Sequence, residues 1–258
     1  MLVICYGIAK SGSTLAFELV KGVLESAGYS QKKLKGAPGI KPRGRGNHLL
    51  SVEKADLAGL IDAVGPDRIV AAKTHKTFDD AMFPWLEEQQ RQRRLQVIAS
   101  YRDPRDICLS LVDHGAKSRD NGRRGFSRIK DLDDAEHVVS RAIGKFAKWG
   151  ALEGTLRLYF ETVAFDPDAA IAAIERVLGV KGDAEAAKKH AFEDAFTQRN
   201  KAKRSRYLDE MDEEWQARML TTFGSFIEQA CLAEGDQWYR AVRAKLLAGA
   251  PDNEIGVG

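Results

Sequence analysis

An apolar run at residues 2–8 (LVICYGI) stops against a small-residue loop, Gly7-Ile8-Ala9-Lys10-Ser11-Gly12-Ser13-Thr14. The chain then turns to helical periodicity, with Leu15, Leu19, Val23 and Leu24 forming a stripe over 13–27 and Gly28 as a stop. A strand this apolar is buried on both faces, which is the habit of a parallel sheet. The same alternation continues. RIVAAK at 68–73, LQVIASY at 95–101 and TLRLYF at 155–160 read as strands. Helical patterns fall at 51–63 with Ser51 as N-cap, at 104–115 and at 134–149. Asp166-Pro167 starts a further helix that ends at Gly179. The expected fold is therefore α/β: a central parallel sheet of four or five strands flanked by helices, with a helical C-terminal part after 183. Neither an internal repeat nor a second domain is evident, so residues 1–258 read as one domain with a loose tail at 249–258.

Composition narrows the function classes. With 44% apolar and 30% charged residues the chain suits a soluble globular protein. No apolar run approaches the length of a membrane span, and the N-terminal run has neither a basic flank nor a small-residue cleavage site. Cys5, Cys108 and Cys231 are too scattered for a disulfide framework or a clustered zinc site. A cytoplasmic setting is expected. Net charge is only +3, but the basic residues are patchy. Residues 31–48 contain Lys32, Lys33, Lys35, Lys41, Arg43 and Arg45 without an acid; 117–130 contain six basic residues and Asp120; 199–206 contain Arg199, Lys201, Lys203, Arg204 and Arg206. Such patches attract phosphates or polyanions, and each by itself also suits a solvated loop.

Ligands of open parallel sheets bind at the carboxyl ends of the strands, so three loops carry the chemistry. In the first, amides at the start of the helix, Lys10 and the hydroxyls of Ser13 and Thr14 form an oxyanion cradle. It is not a Walker A loop, because Ala9 precedes the lysine and Gly12 follows it two residues on. The second is Lys73-Thr74-His75-Lys76. An imidazole here is placed to remove a proton, and neighbouring lysines would keep it neutral. The third runs from Arg102 to Ser110: a guanidinium forks onto phosphate oxygens and a hydroxyl adds a donor. Arg102 could equally pair with a nearby carboxylate.

Together these segments resemble the sulfotransferases that use 3′-phosphoadenosine 5′-phosphosulfate (PAPS). That family has a P-K-S-G-T-T-W loop, a later K-T-H, and R-x-P-x-D-x-x-x-S. Here they correspond to Lys10–Leu15, Lys73–His75 and Arg102–Ser110, in the same order. Residues 158–179 resemble the family's Y-E-D…D-P…F-L-G segment, so the likeness spans roughly 2–180. The resemblance implies that Lys10 contacts the 5′-phosphate and bridging oxygen, with Ser11, Gly12, Ser13 and Thr14 around the same group. It implies that Lys73 adds charge there, that His75 takes the acceptor's proton, and that Arg102 and Ser110 hold the 3′-phosphate. Ala9 and Leu15 depart from the family's proline and tryptophan, which leaves the adenine contact without a residue. The nearest counterpart of its R-K-G segment is Arg199-Asn200-Lys201.

The expected reaction moves a sulfuryl group from PAPS to a hydroxyl or amine, on a small molecule or an anionic glycan, and releases PAP (adenosine 3′,5′-bisphosphate). No metal is required, and no His, Cys or carboxylate cluster has ligand spacing. Should His75 not be the base, His114 or Glu161 would be next. Two rivals remain: a P-loop nucleotide kinase, and a non-enzymatic nucleotide- or nucleic-acid-binding protein. The first lacks a magnesium aspartate after an apolar strand, and the second lacks aromatic residues among its basic segments.

Overall fold

The computed structural model describes all residues except 45, 196–202, 233–235 and 249–258. Four parallel strands form one sheet: β1 (Leu2–Gly7), β2 (Val70–Thr74), β3 (Leu95–Tyr101) and β4 (Leu156–Tyr159), in the order β2-β1-β3-β4. The first three are buried along their whole length, as their unbroken apolar character requires. Helices α1 (Ser13–Ser26), α2 (Lys54–Val64), α3 (Phe83–Arg91), α4 (Pro104–Asp120) and α5 (Leu132–Ala151) follow or separate the strands. After β4 come α6 (Phe160–Phe165), α7 (Pro167–Leu178), α8 (Ala184–Lys189), α9 (Tyr207–Glu210), α10 (Glu213–Phe226) and α11 (Asp236–Leu247).

Alternate strand residues feed two cores. Val3, Cys5, Ala71, Ile98 and Leu158 pack with α1 and α7; Leu2, Ile4, Tyr6, Val70, Val97 and Ala99 pack with α2, α3 and α5. That alternation places both strand faces against helices and leaves the carboxyl ends of the strands clear for loops.

The helix ends follow local chemistry. Asp103, Asp131, Asp166 and Asp212 each accept a backbone N–H at the start of their helices. Gly179, at φ 68°, ends α7 as expected. Some boundaries differ from the sequence reading. Ser51 does not cap α2; its Oγ accepts from Glu53 N, and the helix begins after Glu53. Helix α4 continues to Asp120 rather than 115, with Lys117 and Arg119 in its last turn complementing the dipole. Strand β4 stops at Tyr159, and Phe160 opens a short helix. Helix α3 was not expected at all.

The basic 31–48 segment is anchored along β2. Gln31 donates to Ile69 O and accepts from Ala71 N; Asn47 donates to Ala71 O and accepts from Leu34 N. Lys73 N donates to Asn47 O and Leu49 N donates to Lys73 O, a one-residue parallel bridge at His48. Further on, the chain returns over the start of α4: Arg102 donates to Lys203 O at 2.9 Å, and Tyr207 N donates to Asp106 at 3.0 Å.

Candidate active site

The loop between β1 and α1 turns through two left-handed residues, Lys10 (φ 71°) and Gly12 (φ 79°). For lysine this conformation costs about 1–2 kcal/mol. Gly12 is the N-cap of α1, with no side chain bonded to the first-turn amides and no acid in that turn. The helix therefore presents its positive end without an internal counter-charge. Ser11 is turned inward and donates to Ile8 O at 2.8 Å, so its hydroxyl secures the turn. Thr14 Oγ1 accepts from Lys73 Nζ at 2.8 Å, which ties the end of β2 to this loop. Burial lowers the Lys73 pKa to about 8. Lys10 is lowered by burial and by Lys117, with Asp113 opposing.

His75 stands at the carboxyl end of β2. Its Nδ1 lies 2.6 Å from Gly7 O. A carbonyl only accepts, so Nδ1 carries the proton and the Nε2 lone pair is left for other work. The residue keeps solvent-accessible surface, while burial of the imidazole, with Lys73 beside it, lowers its pKa from 6.5 to about 4. His48 sits next to the same lysine and against Phe17, at 6.1 Å between rings; burial and Lys73 lower its pKa too.

Arg102 and Ser110 are both buried on the β3–α4 side. Arg102 pairs with Asp106 at 2.7 Å, the carboxylate alternative raised by the sequence. Its guanidinium also lies 4.1 Å over the Phe160 ring, and its buried Nε finds no partner among the described residues. Phe160 is the physical link between the two loops, since a Cβ on Gly12 would stand 2.4 Å from its ring. The cradle at 10–14 and the Arg102 guanidinium thus lie on one edge of the sheet, one aromatic ring apart. Gly12→Ala would meet both the ring and a left-handed φ that costs an L-residue about 1–2 kcal/mol, and should lower stability by about 1–3 kcal/mol in thermal or urea unfolding. An unchanged midpoint would mean that the loop is not held in this shape.

Of the other predicted residues, Arg199 and Lys201 lie outside the described residues. Their neighbours Lys203 to Tyr207 do reach Arg102 and Asp106, so the third basic patch borders this site. Arg206 is nearly fully buried between Asp113 (2.9 Å) and Glu210 (2.7 Å). Glu161 is 3.6 Å from Arg204, and burial raises its pKa. Phe160 and His48 were not anticipated as parts of the candidate site, and Asp106 entered only as the aspartate of the Arg102–Ser110 motif. The Arg102–Asp106 spacing of four on a helix start was the available signal for their pairing.

No family model matches the chain, and no curated protein matches it. Among solved structures it is similar to mouse sulfotransferase SULT7A1 complexed with PAP, with a TM-score of 0.50 and 13% identity over 93% of this chain and 88% of that one. That likeness establishes a shared fold. Among the described residues, no group of three or more His, Cys, Asp or Glu is placed to hold a metal ion, and no helix is long and apolar enough to cross a membrane.

Proposed function

We propose that this chain is a sulfotransferase that uses PAPS. The observation that carries the reading is the joining of three motifs on one sheet edge. Lys73 binds Thr14 of the cradle, His75 binds Gly7 at its entrance, and Phe160 bridges Gly12 to Arg102. The PAP held by the mouse sulfotransferase of similar fold supports the same donor. The residues suit it: an uncapped helix start with Lys10 and Lys73 could meet one anionic end, and the buried Arg102 guanidinium, whose Nε has no partner among the described residues, could meet the other.

The donor, when bound, supplies a sulfuryl group attached to a stable leaving phosphate. Lys10, the amides of Ser13 and Thr14, and Lys73 would neutralise charge on the 5′ side. His75 Nε2 would accept the proton of an acceptor hydroxyl or amine as its oxygen or nitrogen bonds to sulfur and the bond from sulfur to the bridging oxygen breaks, its electron pair leaving on the 5′-phosphate of PAP. Arg102 and Ser110 would hold the 3′-phosphate and fix the donor's register. Arg199 and Lys201 remain candidates for the same phosphate.

Calorimetric titration separates the readings. Tight PAP binding without magnesium is expected. Preference for Mg·ATP would favour a kinase, and salt-sensitive binding of oligonucleotides with none of PAP would favour a nucleic-acid-binding protein.

A further inference from the structure

We propose that Trp149 is the positioning residue for His75: one buried indole, with Thr74 as its counterpart, holds the chain on both sides of that imidazole and so fixes where Nε2 stands. The use of this arrangement in turnover rests on the sulfotransferase reading; the holding of the ring rests on geometry.

His75 follows directly on the five-residue strand β2, where the ladder gives way to a loop. Past a strand end the backbone is held by whatever bonds its next peptide groups make. Both backbone polar groups of Lys76, the next residue, are committed. Lys76 N donates to Thr74 Oγ1 at 3.0 Å, which closes a turn around His75. Lys76 O accepts from Trp149 Nε1, also at 3.0 Å. The first bond fixes the peptide that joins His75 to Lys76, and the second fixes the peptide after it.

Trp149 comes from the last turn of α5 and is 0% exposed. Its ring stacks on Tyr6, 5.8 Å between centroids at 23°, and meets Phe78 edge-on at 4.7 Å and 82°. Tyr6 precedes Gly7, whose carbonyl accepts from His75 Nδ1 at 2.6 Å. Phe78 belongs to the loop that continues from His75. The same indole therefore touches the strand that offers the carbonyl and the loop that carries the imidazole. A buried indole N–H needs one acceptor, and a single hydrogen bond to any carbonyl would satisfy it. This one joins the two chain segments whose separation sets the length of the Nδ1 to Gly7 O bond.

Trp149→Phe keeps an aromatic ring in the core and removes only the donor. Lys76 O then turns toward water, and the loop carries His75 away from Gly7. The sign of the effect follows from what acts on the imidazole. Burial, the largest influence, and the nearby Lys73 and His48 lower its pKa, while the bond to Gly7 raises it. Loosening the turn weakens both burial and that bond, so burial decides, and the titration midpoint rises from about 4 toward 6.5.

The test follows the histidine ring nitrogens of the full 15N-labelled chain by NMR against pH, with the His75 signals assigned by their loss in His75→Asn. Wild type should show the Nδ1–H tautomer above its midpoint. Trp149→Phe should mix the tautomers and titrate at a proton concentration at least 10-fold lower. Ile143→Ala, a buried change on the same helix that leaves the indole in place, should lower the urea midpoint yet leave the His75 titration alone. Should Trp149→Phe not fold, Thr74→Val frees the Lys76 N–H instead and should move His75 in the same direction. The proposal is overturned if folded Trp149→Phe, or Thr74→Val in its place, titrates like wild type, or if Ile143→Ala shifts His75 equally, which would make the indole a core residue only. Calorimetry with PAP on the same samples keeps the two readings apart. No PAP binding by wild type, with His75 shifted in Trp149→Phe, would remove the donor and leave the positioning role standing.

Discussion

His75→Ala should lower turnover about 10²–10⁴-fold while PAP binds as before. The expectation follows from one hydrogen bond. Donation from Nδ1 to Gly7 O fixes the tautomer and leaves Nε2 as the basic atom. Because the folded pKa is lowered to about 4, the ring is neutral throughout the physiological range, and the acid limb of kcat/KM should fall below pH 6.5. The same shift has a stability consequence. Between pH 6.5 and 4 the unfolded imidazole takes up a proton that the folded one does not. Its contribution is thus complete above pH 6.5 and is lost as pH falls toward 4. Urea unfolding of wild type and His75→Asn across that window should converge on acidification. Near-wild-type turnover in His75→Ala would take the base role from this residue and turn attention to His114.

Arg102→Met should act on both binding and stability. If Arg102 grips the 3′-phosphate, PAP affinity falls about 10–100-fold, whereas adenosine 5′-phosphate, which lacks that group, is bound much as before. Equal weakening of the two nucleotides would deny Arg102 this role. The same variant strands Asp106, which is 0% exposed and whose pKa burial already raises. An unpaired buried charge of this kind costs about 3–5 kcal/mol. Arg102→Met/Asp106→Asn removes the charge yet keeps an oxygen for Tyr207 N, and should recover most of the lost stability without recovering PAP affinity. The pair of measurements separates a phosphate grip from a structural ion pair.

The sheet was legible because its strands are apolar on both faces and short, so periodicity and punctuation agree. Gly28, Gly179 and the Asp166-Pro167 start mark helix ends by backbone chemistry that needs no tertiary context. Helix α3 was missed because PWLEEQQR carries its apolar contacts sparsely, and Phe83 and Leu86 become core residues only through packing against β3 and its neighbours. The site was legible as three loops, since each lies next to its own strand in sequence. Phe160 was not, because its importance lies in touching Gly12 and Arg102 from the start of a short helix far along the chain. The ordering of 31–48 was hidden for a similar reason: two side-chain amides, Gln31 and Asn47, stitch it to β2, and nothing in a run of lysines and glycines announces that.

The return of Lys203–Tyr207 over Arg102 and Asp106 has a consequence for how the protein is made. The strand and loop bearing Arg102 leave the ribosome about a hundred residues before the segment that covers them, a separation of 101 positions for both hydrogen bonds. At a synthesis rate of roughly 5–20 residues per second, the nascent sheet waits on the order of 5–20 seconds with that guanidinium and carboxylate uncovered. A chain released before Lys203 would retain all four strands yet lack the backbone that closes over the pair, and a stalled product of that length is the one to expect in the grip of chaperones.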